Sequence, residues 1–436
     1  MTDLEQVART IFFETLKAVD LPAVIRRRVR RDGERLWVDE KVYDLSRFDE
    51  VILIGIGKAS LQMGQAIESL LGERLSRGLL VSNRRAPLSL KSEVIIAGHP
   101  VPNAESLRAG KRAIELLSGC TPNTLVLFLI SGGGSSLFEV PISDEITLED
   151  LRQLNRILVE CGATIEEVNV VRKRFSAIKG GKLRKIMKSQ AAVALLVSDV
   201  NTGDFKTLAS NPLFPEAESE ERFQGIIEKY KLAERLPRLF QLFQALHRKA
   251  LRESNERPDP HIAPILLAEN TDVVKTAERI ALESGYYVQV DQIDDEAPIE
   301  QAAARFVALV KELKRQHPGE KVCVISGGEV SCPVRGDGFG GRNQELALLC
   351  AMKLQEALIG GSLVLSCGTD GIDGRSFAVG ALAHAGQPTN ERLTLARLPV
   401  YLAASDSSSW FNEAGGLLVS GPTGNNLRDL RIILTN

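Results

Sequence analysis

Only five histidines and six cysteines occur in the 436 residues. The cysteines, Cys120, Cys161, Cys323, Cys332, Cys350 and Cys367, are scattered, form no C-x-x-C pair and have no histidine at metal-ligand spacing. That argues against a zinc site or a disulfide framework and suggests buried thiols of a reducing compartment. G-x-S-x-G is absent, so with histidine scarce a serine-hydrolase triad is poorly supported. No apolar run approaches the roughly 20 residues that span a bilayer, and residues 1–20 carry acids where a signal peptide carries bases. The expectation is a cytoplasmic protein. Neither sign of charge dominates: 54 Lys and Arg against 56 Asp and Glu leave a net charge of −2. That balance argues against a dedicated nucleic-acid or anionic-membrane surface.

What is present fits a soluble globular chain, with 44% hydrophobic and 25% charged residues, too long for one core. Two domains are expected, over residues 45–215 and 258–436. Residues 1–44 and 216–257 are read as helical segments that pack on or link them. Val7, Ile11, Phe12, Leu16 and Val19 recur at helical spacing. The run 26–35 that follows holds six arginines, which fits either a phosphate contact or, more simply, a solvated helix end.

From Glu50 the pattern becomes short apolar run, glycine turn, helix. Residues 51–54 lead into Gly55-Ile56-Gly57-Lys58-Ala59-Ser60. A strand, Gly-x-Gly-Lys and a helix begin a βαβ unit whose amide groups favour an anion. The stretch matches neither a Walker A loop nor a full G-x-G-x-x-G. Lys58 stands out, because a lysine at a helix N-terminus opposes the macrodipole unless it turns to solvent or meets an anion. Further strands are expected at 78–81, 94–97, 125–130 and 192–197, with helices between them at 105–118 and 148–161. The alternation predicts a doubly wound, mostly parallel sheet with ligands at the carboxyl ends of its strands. The polar stretch ending in RESNERPDPH is a boundary candidate. A second alternation begins at 262–268, with strands expected at 287–290, 322–325, 362–366, 400–403, 417–419 and 430–434.

Several turns carry chemistry. Ser131, Gly132, Gly133, Gly134, Ser135 and Ser136 follow an apolar strand, and such a turn can form an amide nest for phosphate or simply be flexible. Residues 169–181 concentrate Arg172, Lys173, Arg174 and Lys179, suited to polyphosphate or to a basic helix surface. Asp199, Asp204, Glu329, Asp370 and Asp373 all fall at or just after expected strand ends. Asp370 and Asp373, three apart between glycines, could hold a hydrated Mg²⁺, although an Asx-turn explains either without metal. Residues 322–346 join an apolar strand to six glycines and seven charged or amide side chains, among them Glu329, Arg342 and Asn343. So many glycines suggest a backbone that approaches a ligand closely, the alternative being a glycine-tipped hairpin. Residues 420–426 are a further donor-rich turn, or an ordinary β-turn.

Taken together these motifs resemble the glycerate kinases that end in a MOFRL module. The resemblance spans nearly the whole chain: Gly55-Ile56-Gly57-Lys58-Ala59, Gly98-His99-Pro100-Val101-Pro102, 131–136, Val171-Arg172-Lys173 with Lys179-Gly180-Gly181, and Ser198-Asp199-Val200. In the second half it covers Ser326-Gly327-Gly328-Glu329, Gly340-Gly341-Arg342-Asn343-Gln344-Glu345, Gly368-Thr369-Asp370-Gly371 and Gly421-Pro422-Thr423-Gly424. It implies two α/β/α domains, a Rossmann-like first and a smaller mixed-sheet MOFRL second, with the active site in the cleft between them. The implied activity is ATP-dependent phosphorylation of D-glycerate, generally at the 2-hydroxyl, with Mg²⁺ or another divalent metal. The residues held important in the family carry over to Lys58 and Arg342. The chain departs from the family pattern at Asn211, where glycine is usual, and at Asn103, where aspartate is frequent.

Phosphoryl transfer asks for positioning and charge neutralisation. The expectation is therefore that 131–136 hold ATP phosphates, that Lys58, Arg342 and Asp199 are catalytic, and that Lys58, Arg342 and Asn343 bind substrate. Asp199, Glu329 and Asp370 are the metal candidates. A homodimer is the default assembly. The alternatives are an NAD(P)H-dependent hydroxypyruvate reductase, which would need the missing dinucleotide fingerprint, and a non-catalytic sugar-acid or nucleotide sensor.

Overall fold

The computed structural model describes residues 3–85, 89–188, 191–199, 207–216, 219–250, 262–292, 296–386 and 397–436. Asp204 and its neighbours 200–206 lie outside the described residues, as do 86–88 and 387–396. The chain divides into two compact units, residues 25–267 and residues 1–24 with 268–436.

In the first unit, apolar β-branched runs make a buried sheet. Its strands are β4 (Glu50–Ile56), β5 (Arg77–Ser82), β6 (Glu93–Ile96), β7 (Thr124–Ile130), β8 (Ala191–Val197) and β9 (Ile262–Ala268), following the small strands β1 (Val29–Asp32), β2 (Arg35–Val38) and β3 (Lys41–Asp44). The sheet order is β6-β5-β4-β7-β8-β9. Every pairing from β6 to β8 is parallel. All seven residues of β7 are buried, as a strand covered on both faces requires. The register sets Ile56 beside Ile130 and Ile130 beside Leu196, so the turns after β4, β7 and β8 leave the sheet at one edge.

Two parts of this unit depart from the sequence reading. Residues 29–44, expected to be helical, form the antiparallel sheet β1-β2-β3, because Asp39 at its turn takes two hydrogen bonds from Arg28 (2.7 and 2.6 Å) and the alternation of Leu36 and Val38 buries one face. Strand β9, expected to open the second half, completes the first sheet instead, a long-range pairing that local pattern cannot reveal. Helices Leu148–Glu160, Ile165–Phe175, Glu220–Lys229 and Pro237–Ala250 share a separate apolar cluster in which Phe175 meets the rings of Phe240 and Phe243.

The second unit carries β10 (Tyr287–Val290), β11 (Val322–Ser326), β12 (Ser362–Gly368), β13 (Gly380–His384), β14 (Leu417–Leu418) and β15 (Asp429–Thr435), ordered β10-β11-β15-β12-β13-β14. Only β10 with β11 is parallel; the C-terminal strand β15 runs antiparallel between β11 and β12. Helix Arg342–Glu356 is the buried member of this unit, with every residue from Asn343 to Ala351 inside. Helix Asp3–Ala18 buries Leu4, Ala8, Ile11 and Phe12; of the expected stripe, Ile11 and Phe12 are inside while Val7 and Leu16 are only half-buried. The apolar run at 400–403, expected as a strand, lies in helix Leu398–Ala403. A four-residue apolar run is ambiguous between the two, and Pro399 in the first turn favours the helix. Strand β13 escaped the sequence reading.

Candidate active site

In the first unit the turns after β4 and β7 are built into each other. Ser131 donates its amide N–H to Ile56 O (2.9 Å), Lys58 donates its amide to Gly132 O (2.9 Å), and Ala59 donates its amide to Ser131 Oγ (3.0 Å). Gly57 has φ +126°, and a Cβ there would lie 2.2 Å from Ser131 Oγ and 2.4 Å from Ser131 O. Only glycine lets these backbones meet. Gly133, at φ +83°, faces the Lys58 side chain and the His99 ring: a Cβ would stand 3.1 Å from Lys58 Cγ and 3.2 Å from His99 Cδ2. Burial of its ring, then the Lys58 and Arg84 charges, lower the His99 imidazole to about 4. A cation and a neutral imidazole thus flank the glycine turn.

Of residues 131–136, only Gly133 and Ser135 are part-exposed. Behind them, Lys179 is buried, ion-paired with Glu139, and donates to Ser135 O at 2.7 Å. Ser176 donates to the other oxygen of Glu139 (2.5 Å). Ser135 and Ser210 hydroxyls share a 2.7 Å hydrogen bond, and Ser210 donates to Asn169 Oδ1 at 3.0 Å. Burial lowers the Lys179 ammonium and, less offset by Glu139, the Arg172 guanidinium. Lys173 is likewise buried against Glu216. The basic stretch 169–181 is therefore largely an internal clamp on the turn. Ala209, Ser210 and Asn211 all adopt left-handed backbone, with φ of 52°, 57° and 53°. Asn211 takes the conformation usual for glycine and stabilises it through Nδ2 to Phe214 O (2.9 Å) and Oδ1 from Phe214 N (2.9 Å). Asn103 caps helix Ala104–Ser118, its Oδ1 accepting from Ser106 N (3.1 Å) and Gly98 N (3.0 Å), a task an aspartate would also perform.

Asp199 stands two residues past β8, at the sheet edge that carries Lys58 and 131–136. Among the described residues no three His, Cys, Asp or Glu side chains converge on a metal-sized site. A phosphate-borne Mg²⁺ needs only one or two carboxylates.

In the second unit the Gly-Gly-Arg-Asn-Gln segment starts helix Arg342–Glu356. Arg342 Nε donates to Asp429 Oδ2 (2.7 Å), one Nη to Asp429 Oδ1 (3.0 Å), and the other pairs with Glu329 (2.6 Å). Burial opposes the guanidinium charge, but Asp429 and then Glu329 outweigh it and raise the group above its ordinary value. Asp373 caps the helix, accepting from the amides of Asn343 (3.1 Å) and Gln344 (2.9 Å) and from both side-chain amides. Asn343 is buried, its Oδ1 accepting from Ser366 at 2.6 Å. Glu329 also faces Arg428 (3.8 Å), and the Asp370 carboxylate accepts from Ile372 N (3.1 Å) in an Asx-type turn. Beside Arg342 lies a cavity of about 270 Å³ lined by Cys332, Gly341, Arg342, Glu345, Arg375 and Ser405 among others.

Sequence reasoning brought Lys58 and the 131–136 turn together correctly in space, and it named Arg342. It missed Asp429, which lies 87 residues from Arg342 with no local motif, and the Asn169–Ser210 pair behind Ser135.

An α/β sheet whose lysine-bearing turn and glycine nest share one edge, with a caged arginine on a second α/β unit, describes an enzyme of the phosphotransferase class. A family model described as a domain of unknown function (DUF4147) matches residues 7–243, and the MOFRL family matches residues 322–429. The D-glycerate 2-kinase of Thermotoga maritima is 35% identical over 93% of this chain and 96% of its own length. A putative hydroxypyruvate reductase of Agrobacterium vitis is 33% identical over 88% of this chain and 86% of its own. The crystal structure of the Thermotoga maritima glycerate kinase superposes with a TM-score of 0.80 at 29% identity, covering 99% of both chains. The chain belongs to the glycerate kinase family with a C-terminal MOFRL domain. Among the described residues no helix is long and apolar enough to cross a membrane.

Proposed function

We propose that this chain transfers the γ-phosphoryl group of ATP to the 2-hydroxyl of D-glycerate, giving 2-phosphoglycerate, ADP and a proton. The observation that carries the reading is the contact of Lys58 with the glycine turn after β7: its amide bonds Gly132 and its side chain lies against Gly133. That arrangement sets a lysine side chain against part-exposed backbone at the carboxyl edge of a parallel sheet, where phosphate binds in such folds. In this reading residues 131–136 hold the ATP phosphates, and Lys58 offsets charge on the transferred group. Asp199 orients the attacking hydroxyl and takes its proton. A Mg²⁺ carried by the phosphates, with Asp199 as its carboxylate, would neutralise charge that develops between them.

Arg342 takes the glycerate carboxylate in exchange for Glu329, keeping its two-point bond to Asp429. Asn343 acts from beneath, holding the helix start rather than touching substrate. Glu329 and Asp370, held by Arg342 and by a turn, are the weaker metal candidates. Assembly as a homodimer in the cytoplasm belongs to the same reading.

The test is a coupled assay with D-glycerate, ATP and Mg²⁺, run beside NADH and NADPH oxidation with hydroxypyruvate. ATP-dependent turnover with no nicotinamide oxidation is the expected result. Nicotinamide oxidation alone would make the chain a reductase, and binding without turnover would make it a sensor.

A further inference from the structure

The cavity beside Arg342 has a charge balance that the pairing around Arg342 makes uneven. Arg342 meets two carboxylates, Asp429 and Glu329, at 2.6 to 3.0 Å, so its charge is already compensated. Glu345, on the same wall, is buried and pairs with Arg335 at 3.5 Å. The remaining charged group on the lining is Arg375. It is exposed, and among the described residues no carboxylate pairs with it.

Its backbone, by contrast, is pinned. Arg375 donates its amide to Gly340 O at 2.8 Å. Gly374, at φ +58°, packs so closely that a Cβ would lie 2.3 Å from Gly340 O and 2.8 Å from Gly341 Cα. Asp373, one residue earlier, caps the helix that begins with Arg342. The turn 373–375 is thereby fastened to the first residue of that helix, and a guanidinium is presented at the mouth of the cavity without a carboxylate of its own.

We propose that Arg375 is a substrate-binding residue, the uncompensated cation that draws the carboxylate of a small hydroxy acid into the Arg342 cavity. The proposal rests on the reading of that cavity as the acid's binding site. Arg342, already held by Asp429 and Glu329, then supplies shape and direction, while Arg375 supplies the net attraction for an anion. An uncompensated guanidinium gains a full charge-assisted bidentate pair, whereas a compensated one exchanges one carboxylate for another.

The experiment measures D-glycerate binding by calorimetry and KM for both substrates in the wild type, Arg375→Ala and Arg375→Lys, with the thermal midpoint of each. Expected are an Arg375→Ala affinity and KM for D-glycerate weakened at least tenfold, an unchanged KM for ATP, an unchanged midpoint, and partial recovery in Arg375→Lys. A KM for D-glycerate within twofold of wild type, or a rise confined to ATP, overturns the proposal while leaving the kinase reading intact. Wild-type binding of D-glycerate without turnover sinks the kinase reading alone, since the variants still report on binding. No binding of D-glycerate by the wild type overturns both.

Discussion

Arg342 and Asp429, 87 residues apart, form a two-point hydrogen-bonded ion pair with donor–acceptor distances of 2.7 and 3.0 Å. Asp429 begins β15, the strand laid between β11 and β12, and is fully buried. Removing one partner of a buried pair leaves the other charge unmatched, which costs about 3–5 kcal/mol. Asp429→Ala is therefore expected to lower the unfolding free energy by about that much, read by chemical denaturation, with turnover lost. Asp429→Asn, which keeps the shape and one acceptor, should fall between.

The buried Lys179–Glu139 pair calls for a related experiment with a different signature. Lys179→Met strands the Glu139 carboxylate and should cost about 3–5 kcal/mol, whereas the double variant with Glu139→Gln should recover most of it. Denaturation curves of the single and double variants decide. Equal losses in all of them would show that the ion pair does not hold the 131–136 turn.

The glycines divide by what surrounds them. Gly57→Ala must drive a Cβ to 2.2 Å from Ser131 Oγ and 2.4 Å from its carbonyl oxygen, and backbone cannot yield there. A loss of about 3 kcal/mol or more, or failure to fold, is expected. Gly162, at φ +71°, has nothing within 4 Å of the added atom, so Gly162→Ala should cost only about 1 kcal/mol. Thermal melts of the two proteins make the comparison.

His99 gives the pH prediction. Burial lowers its imidazole to about 4, with Lys58 and Arg84 adding to the effect. The unfolded ring titrates near 6.5, so between about 4 and 6.5 the folded state binds fewer protons than the unfolded one. Stability linked to this group is complete above that window and declines as pH falls through it. Because His99 is exposed at the surface, the size of that decline is reduced by solvent screening. NMR titration should find His99 neutral from pH 5 upward. In Lys58→Ala its midpoint should move up, toward the ordinary value without reaching it, because burial persists. An unmoved midpoint would mean Lys58 does not stand beside the ring.

Much of the architecture was legible because it depends on near neighbours. Residues 51–54 and 125–130 read as buried strands from unbroken aliphatic runs, and helix Asp3–Ala18 from the spacing of its apolar side chains. Lys58 and Ser131–Gly134 could be named because each follows directly on such a strand. The run at 400–403 misled because four apolar residues have no distinguishable period. Arg26, Arg27 and Arg28 do end a helix, Leu21–Arg28, but residues 29–44 misled for another reason: Arg28 is recruited by Asp39, which turns the chain into a small sheet.

The sequence by itself determined the alternation of strands and helices, the glycine turns at strand ends and the residue types available for phosphate chemistry, since backbone preference and hydrophobic period act over a few residues. Only the tertiary structure decided which of those groups are compensated. It paired the buried Lys173 and Lys179 with Glu216 and Glu139, closed Asp429 onto Arg342, assigned β9 to the first sheet, and left Arg375 with a pinned backbone and no described carboxylate partner. Charge pairing acts through space between residues scores of positions apart, and the order of residues along the chain carries no direct record of it.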